Sequence, residues 1–202
     1  KRYPSSVNLF KFLFRNRSQM ATWKVILGLT FVPFFSWSFG SAQQNTNFIH
    51  ESCHTTRYPE VCYSSLSPYE RKIQKSHKLL LSTALDVTLL SSNSTLITMK
   101  TIKDGAGISK DCIELLEDAI YELQISIDEL EKEKKMDFQL LISDISTWVS
   151  AALTDQTTCT DELTEMDSSN KLTVDMLGKL DYLSKLTSNS LALIVHYASI
   201  HG

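Results

Sequence analysis

Four cysteines, five histidines and 23 carboxylates are the side chains of this 202-residue chain that could do chemistry. Two of the cysteines, Cys53 and Cys62, close the stretch CHTTRYPEVC, nine positions apart with Tyr58-Pro59 between them. That spacing fits a dithiol redox couple, half a zinc site or a small disulfide-closed turn. His50 and His54 flank Cys53, so a zinc site can be drawn, and Glu51 with His54 has the Glu-x-x-His spacing of a di-iron carboxylate site. A di-iron bundle needs two such motifs on facing helices, and only one occurs here. Neither a Gly-x-Ser-x-Gly elbow nor a phosphate-cradling glycine loop is present. His77 falls on an apolar helical stripe and reads as a core or boundary histidine rather than a base. The residues therefore predict no catalytic group, no metal site and no cofactor.

The compartment decides among the cysteine chemistries. From Met20 the sequence reads MATWKVILGLTFVPFFSWSFGSAQQ: one basic residue, Lys24, an apolar run from Val25 to Phe39, then Gly40-Ser41-Ala42. This order describes a secretory signal peptide over residues 20–42, cleaved after Ala42. The run is fifteen residues long, short of the roughly twenty that a spanning helix needs. Residues 1–19 read as an upstream extension without a fold, and residues 43–202 as the mature domain. Loss of residues 1–42 removes six basic residues and no acid. The formal charge goes from −3 to −9, with 14 basic against 23 acidic side chains. Such a chain is a poor ligand for nucleic acid, which needs clustered Lys and Arg, and better suited to a basic protein partner. An even number of cysteines behind a signal peptide points to disulfides, and the redox and zinc readings lose their support.

The elements that would position these residues are helical. Ile73, His77, Leu80, Ala84 and Val87 form one apolar stripe. Cys112, Leu116, Ala119, Leu123, Ile127 and Leu130 form a second. The third runs Leu141, Ile145, Trp148, Ala152, Gln156, Cys159, Leu163 and Met166, and the fourth Leu172, Met176, Leu180, Leu183, Leu191, Ile194 and Ala198. Spacings of three and four predict amphipathic helices, and no segment alternates as a half-buried strand does. TIKDGAGISKD, EKEKKMD and DSSNKL read as the three links, with Ser169 or Asn170 capping the last helix. The fold class is all-α, an up-down-up-down four-helix bundle. If the second and third helices turn near Met136, Cys112 lies 24 residues before the turn and Cys159 lies 23 after it. Antiparallel helices rising about 1.5 Å per residue bring the two level, both on core-facing stripes, as a bridge requires. That leaves Cys53 with Cys62, closing a loop that Tyr58-Pro59 helps to bend.

The pattern Cys53-x-x-Thr56-x-Tyr58-Pro59-x-x-Cys62 is followed in order by DCIELLEDAIYEL, TWVSAALTDQTTCTDEL and LTSNSLAL. Together these segments resemble the plant invertase and pectin methylesterase inhibitor family over essentially all of residues 43–202. The resemblance implies a four-helix bundle with an N-terminal helical hairpin, secreted to the plant cell wall (the apoplast) and monomeric when free. It also implies a non-enzymatic inhibitor that covers the active-site cleft of a carbohydrate-modifying enzyme in a one-to-one complex. Two targets divide such inhibitors, pectin methylesterase and acid invertase. The invertase inhibitors carry a Pro-Lys-Phe motif, and none of Pro4, Pro33, Pro59 and Pro68 is followed by Lys-Phe here. Pectin methylesterase is therefore the expected partner and acid invertase the alternative. The bundle also resembles the pro-region of pectin methylesterases, a reading that needs a chain continuing past Gly202. A secreted helical signalling or ligand-binding bundle is the remaining alternative.

An interface is expected on the outer faces of the middle helices. On the second helix these faces carry Glu114, Glu117, Asp118, Tyr121, Ile125 and Asp128; on the third, Ser143, Ser146, Thr147, Ser150, Thr154, Thr157 and Asp161. No Lys or Arg occurs between Lys135 and Lys171. The expected contact set is Glu114, Asp118, Tyr121, Ile125, Ser150, Thr154, Thr157 and Asp161, with Tyr121 as anchor and the acids steering a basic enzyme. The plain alternative is a solvated face whose Tyr121 is covered by the N-terminal hairpin. Asn93-Ser94-Thr95 is a glycosylation sequon near the end of the first helix, expected to be exposed. Asn16-Arg17-Ser18 precedes the signal peptide and is not expected to be used.

Overall fold

In a computed structural model, which describes residues 47–133, 137–165 and 170–201, helices account for nearly every residue and no strand occurs among those described. The extension, the signal peptide and Met166 lie outside the described residues. A short helix α1 (47–53) is followed by α2 (Pro59–Leu66), a 3-10 turn (Ser67–Tyr69) and one turn of helix, α3 (Glu70–Ile73). Four long helices follow: α4 (His77–Ala106), α5 (Lys110–Glu131), α6 (Phe138–Thr164) and α7 (Lys171–His201).

The boundaries have local causes. Ser76, Ser109 and Asp137 cap α4, α5 and α6, each side chain accepting the N–H of the residue three further on. Asn170 caps α7, its Oδ1 accepting the Leu172 N–H at 3.0 Å, while its Nδ2 donates to the Gly105 carbonyl at 2.7 Å. Gly107 ends α4 in the left-handed region at φ 66°, a conformation that costs glycine nothing. Gly105 is helical, and its missing side chain matters instead, since a Cβ there would lie 3.1 Å from Leu172 Cδ1.

Two expectations are corrected here. Ile73 is buried but belongs to α3, separated from His77 by Gln74 at φ 54°. The segment expected to link the first two helices is largely helical: α4 runs on to Ala106, which leaves only 107–109 as the connection and puts Asn93 in mid-helix rather than near its end.

The long helices form a ring in which α4 touches α5 and α7, and α6 touches α5 and α7, the up-down-up-down arrangement. The predicted stripes supply most of the core, with Leu80, Leu116, Leu123, Ile145, Leu163, Leu180 and Leu183 almost wholly enclosed. At the edges of two stripes the neighbour takes the place: Val149 is buried where Trp148 is half-buried, and Thr173 is buried where Leu172 is exposed. A buried polar layer crosses the bundle, Thr187 donating to Gln156 Oε1 at 2.7 Å and Thr88 sharing a hydrogen bond with Ser190 at 3.0 Å. The disulfides pair Cys112 with Cys159 and Cys53 with Cys62, at Cα separations of 4.6 and 5.6 Å, as expected.

The N-terminal hairpin packs on α4 and α7. Asn189 of α7 holds it at the Tyr58 backbone: Oδ1 accepts the Tyr58 N–H at 3.0 Å and Nδ2 donates to the Tyr58 carbonyl at 2.9 Å. Tyr58 leads directly into Pro59 at the first position of α2, where proline suits a helix start. Phe48 packs edge-on against His77, and Lys72 pairs with Asp86 at 2.7 Å. Among the described residues no helix is long and apolar enough to cross a membrane.

Candidate interaction face

With the hairpin on α4 and α7, the side of the ring formed by α5 and α6 stays uncovered by the described residues. The covering of Tyr121 considered from sequence does not occur: its side chain is 67% exposed. Glu114, Asp118, Ser150, Thr154, Thr157 and Asp161 are exposed with it, and Ile125 is half-buried, offering only an edge. The Cys112–Cys159 bridge ties together the two helices that carry these residues.

The α6 half of this face is chemically quiet for a structural reason. Thr154 donates to the Ser150 carbonyl at 3.0 Å, Thr157 to the Leu153 carbonyl at 3.0 Å and Thr147 to the Ser143 carbonyl at 2.8 Å. Their hydroxyl protons are used within the helix, so covering them strands no donor. The α5 half is less acidic than its sequence suggests. Glu114 pairs with Lys110 at 2.6 Å, and Glu117 pairs with Lys100, which the long α4 brings alongside. These residues, with Lys103, Asp104, Ile108 and Ile113, line a cavity of about 590 Å³ where α4 ends and α5 begins.

Further carboxyls gather on the α5–α6 seam. Glu122 of α5 and Asp155 of α6 meet there, with Asp118 beside them. Burial, then the Asp155 and Asp118 charges, push the Glu122 carboxyl up to about 7, and burial and Asp118 raise Asp155 as well. Glu122 Oε2 is enclosed and has no partner when ionised. Two carboxyls hydrogen-bond each other only when one keeps its proton. Sequence reading missed this pair. The available signal was that each acid adjoins a core position, Glu122 beside Leu123 and Asp155 beside Gln156.

The remaining titratable clusters lie elsewhere. His77 is half-buried between Phe48 and His196, and burial first, then His196 and His201, lower its affinity for a proton. Glu133 is held by Lys78 at 2.5 Å and by the Tyr197 hydroxyl. Burial and Glu133 together hold the Tyr197 phenol well above its usual range. Cys53 is bound to Cys62, so the flanking His50 and His54 lack the thiolate that a zinc site would use, and their rings pack edge-on at 4.6 Å.

The description "Plant invertase/pectin methylesterase inhibitor" belongs to the family model that matches residues 47–193. Pectinesterase inhibitor 10 of Arabidopsis thaliana is 38% identical over 170 residues, covering 79% of this chain and 54% of that protein. The 21 kDa protein of Daucus carota is 36% identical over 171 residues, covering 80% of this chain and 89% of its own. The chain thus spans about half the length of the first relative and most of the second. A crystal structure of a mutant pectin methylesterase inhibitor from Arabidopsis aligns at 22% identity with a TM-score of 0.49, over 71% of this chain and 92% of that one.

Proposed function

This chain belongs to the plant invertase/pectin methylesterase inhibitor family, and we propose that it is a secreted, non-enzymatic inhibitor of pectin methylesterase acting in the cell wall. The observation that carries the reading is the uncovered α5–α6 face, with Tyr121 exposed and, on α6, threonines whose hydroxyl donors are already used. The inhibitor binds one-to-one and closes the pectin cleft by occupying it. A bundle stapled by two buried disulfides meets the enzyme with little ordering left to do, which lowers the entropic penalty of association. Tyr121 supplies the anchor, the threonine face permits close approach, and Asp118, Asp128 and Asp161 steer a basic enzyme. No Pro-Lys-Phe segment is present to enter an invertase site.

The test titrates oxidised residues 43–202 against a plant pectin methylesterase and an acid invertase, reading methanol release and sucrose hydrolysis side by side. Loss of methanol release alone, saturating near one-to-one, supports the reading. Loss of sucrose hydrolysis alone transfers it to invertase. Loss of neither, with the helical spectrum intact, removes the inhibitor reading.

A further inference from the structure

Asn93 sits in the middle of α4, fully on its outside, and the residues one turn to either side are bare aliphatics. Leu90 is 64% exposed and Ile97 is 68% exposed. Positions i−3, i and i+4 lie on one strip of a helix surface, so Asn93 is the polar centre of an apolar strip. A group attached at Asn93 would lie within reach of both side chains and could take their apolar surface out of water. Here the strip carries its own attachment point, since Asn93-Ser94-Thr95 is an acceptor sequon. We propose that Asn93 carries an N-linked oligosaccharide whose first sugars lie over Leu90 and Ile97, their C–H faces covering the two side chains. The inference rests on entry into the secretory pathway, as in the function proposed above.

The fold also dictates when the sugar is added. Thr95 is only 4% exposed and its hydroxyl donates to the Ser91 carbonyl at 2.9 Å. Two residues on a helix are about 200° apart around its axis, so the folded chain holds Asn93 and Thr95 on different faces. A transferase that must hold the amide and the hydroxyl together acts on the chain before α4 forms. The donor is a lipid-linked oligosaccharide diphosphate: the bond from Asn93 Nδ2 to the sugar's anomeric carbon forms as the anomeric C–O bond breaks. The lipid diphosphate leaves with the bonding pair, and one amide proton is lost to base. Nδ2 keeps its second hydrogen, enough to maintain its 2.9 Å donation to the Leu89 carbonyl. The sugar stands on α4, not on α5 or α6, and leaves the proposed docking face open.

The test expresses the full chain and Asn93→Gln in plant cells and weighs the protein in medium and cells before and after glycosidase treatment. In a second arm, residues 43–202 of each stand behind an unrelated secretory leader, because the acceptor is the unfolded chain. The expected result is the mass of one oligosaccharide at position 93, lost in Asn93→Gln. Apolar-dye binding should rise in Asn93→Gln and fall again when Leu90→Ser and Ile97→Ser are added, with inhibition unchanged throughout. Protein exported at bare peptide mass in the second arm overturns the modification. A modified protein whose dye binding ignores Asn93→Gln overturns the covering role. Modification in the second arm alone, with the full chain left in the cytosol, overturns the secretion reading and not the acceptor site.

Discussion

Replacing Glu122 by Gln should stabilise the bundle at neutral and alkaline pH and do almost nothing in acid. A carboxyl whose folded-state pKa lies above its unfolded value binds its proton more tightly in the folded chain. It therefore opposes folding once ionised, and the penalty vanishes as pH falls below the unfolded value. For Glu122 the window runs from about 7 down to 4.5. At 1.36 kcal/mol per pH unit that interval bounds the penalty at roughly 3 kcal/mol. Glu122 is partly open to solvent, and screening brings the figure to about 1–2 kcal/mol. At about 2–4 °C per kcal/mol for a domain of this size, Glu122→Gln should melt about 2–8 °C above the parent near pH 8. Near pH 4, below the unfolded value, the two should melt together. The glutamine amide can donate to Asp155, so packing across the seam is retained. Thermal unfolding of oxidised residues 43–202, followed by circular dichroism at the two pH values, reads the difference directly. An equal offset at both pH values would mean a packing effect, and no offset at either would mean that the seam does not hold a proton; each outcome refutes the reasoning.

Three further perturbations separate docking from folding. Tyr121→Ala should weaken inhibition of pectin methylesterase by about 2 kcal/mol, roughly 30-fold, with an unchanged melt, whereas a merely solvated tyrosine would leave the inhibition constant where it was. Asn189→Ala strands both backbone groups of Tyr58 at a cost of about 1–3 kcal/mol. Hydrogen exchange should speed up across residues 47–66 while the centres of α5 and α6 stay protected, and unchanged protection there would dismiss the clamp. Replacing both cysteines of each bridge by Ala should lower the guanidinium midpoint unequally. Loops of 47 and nine residues correspond to about 4 and about 2.6 kcal/mol in the chain-entropy model, so a larger loss at Cys53–Cys62 would contradict it.

The fold was legible where a single periodicity governs. Three- and four-residue spacing placed most of the core, and near-equal distances of Cys112 and Cys159 from their turn gave the pairing that the structure contains. What escaped depends on backbone choices that residue type does not mark. Gln74 adopts φ 54° with neither Gly nor Pro to announce it. Asp104-Gly105 reads as a linker yet remains helical, because Asn170 and Leu172 close over the end of α4. The pairing of Lys100 with Glu117, and with it the partial neutralisation of the α5 face, depends on how α4 and α5 lie side by side, which periodicity within either helix does not give. The Glu122–Asp155 meeting was harder still. Helical side chains lean toward their own N-terminus, so in antiparallel helices two side chains meet about a turn away from where their Cα register would pair them.

That seam couples stability to docking with opposite signs. Below pH 7 Glu122 takes up a proton and the bundle tightens, since the buried oxygen gains its partner across the α5–α6 interface. The same proton removes a negative charge from the face proposed to meet the enzyme, and Asp155 moves in the same direction. Acidification within that window should therefore slow electrostatically steered encounter while making the inhibitor more rigid. Encounter rate depends on charge, whereas dissociation depends chiefly on the buried contacts of Tyr121 and the threonine face. A protonated seam should thus appear as a lower association rate with a shallower salt dependence, with dissociation nearly constant. In Glu122→Gln the Glu122 share of that pH dependence should be absent. A dissociation rate that rises in acid while association holds steady would show that the seam lies outside the contact.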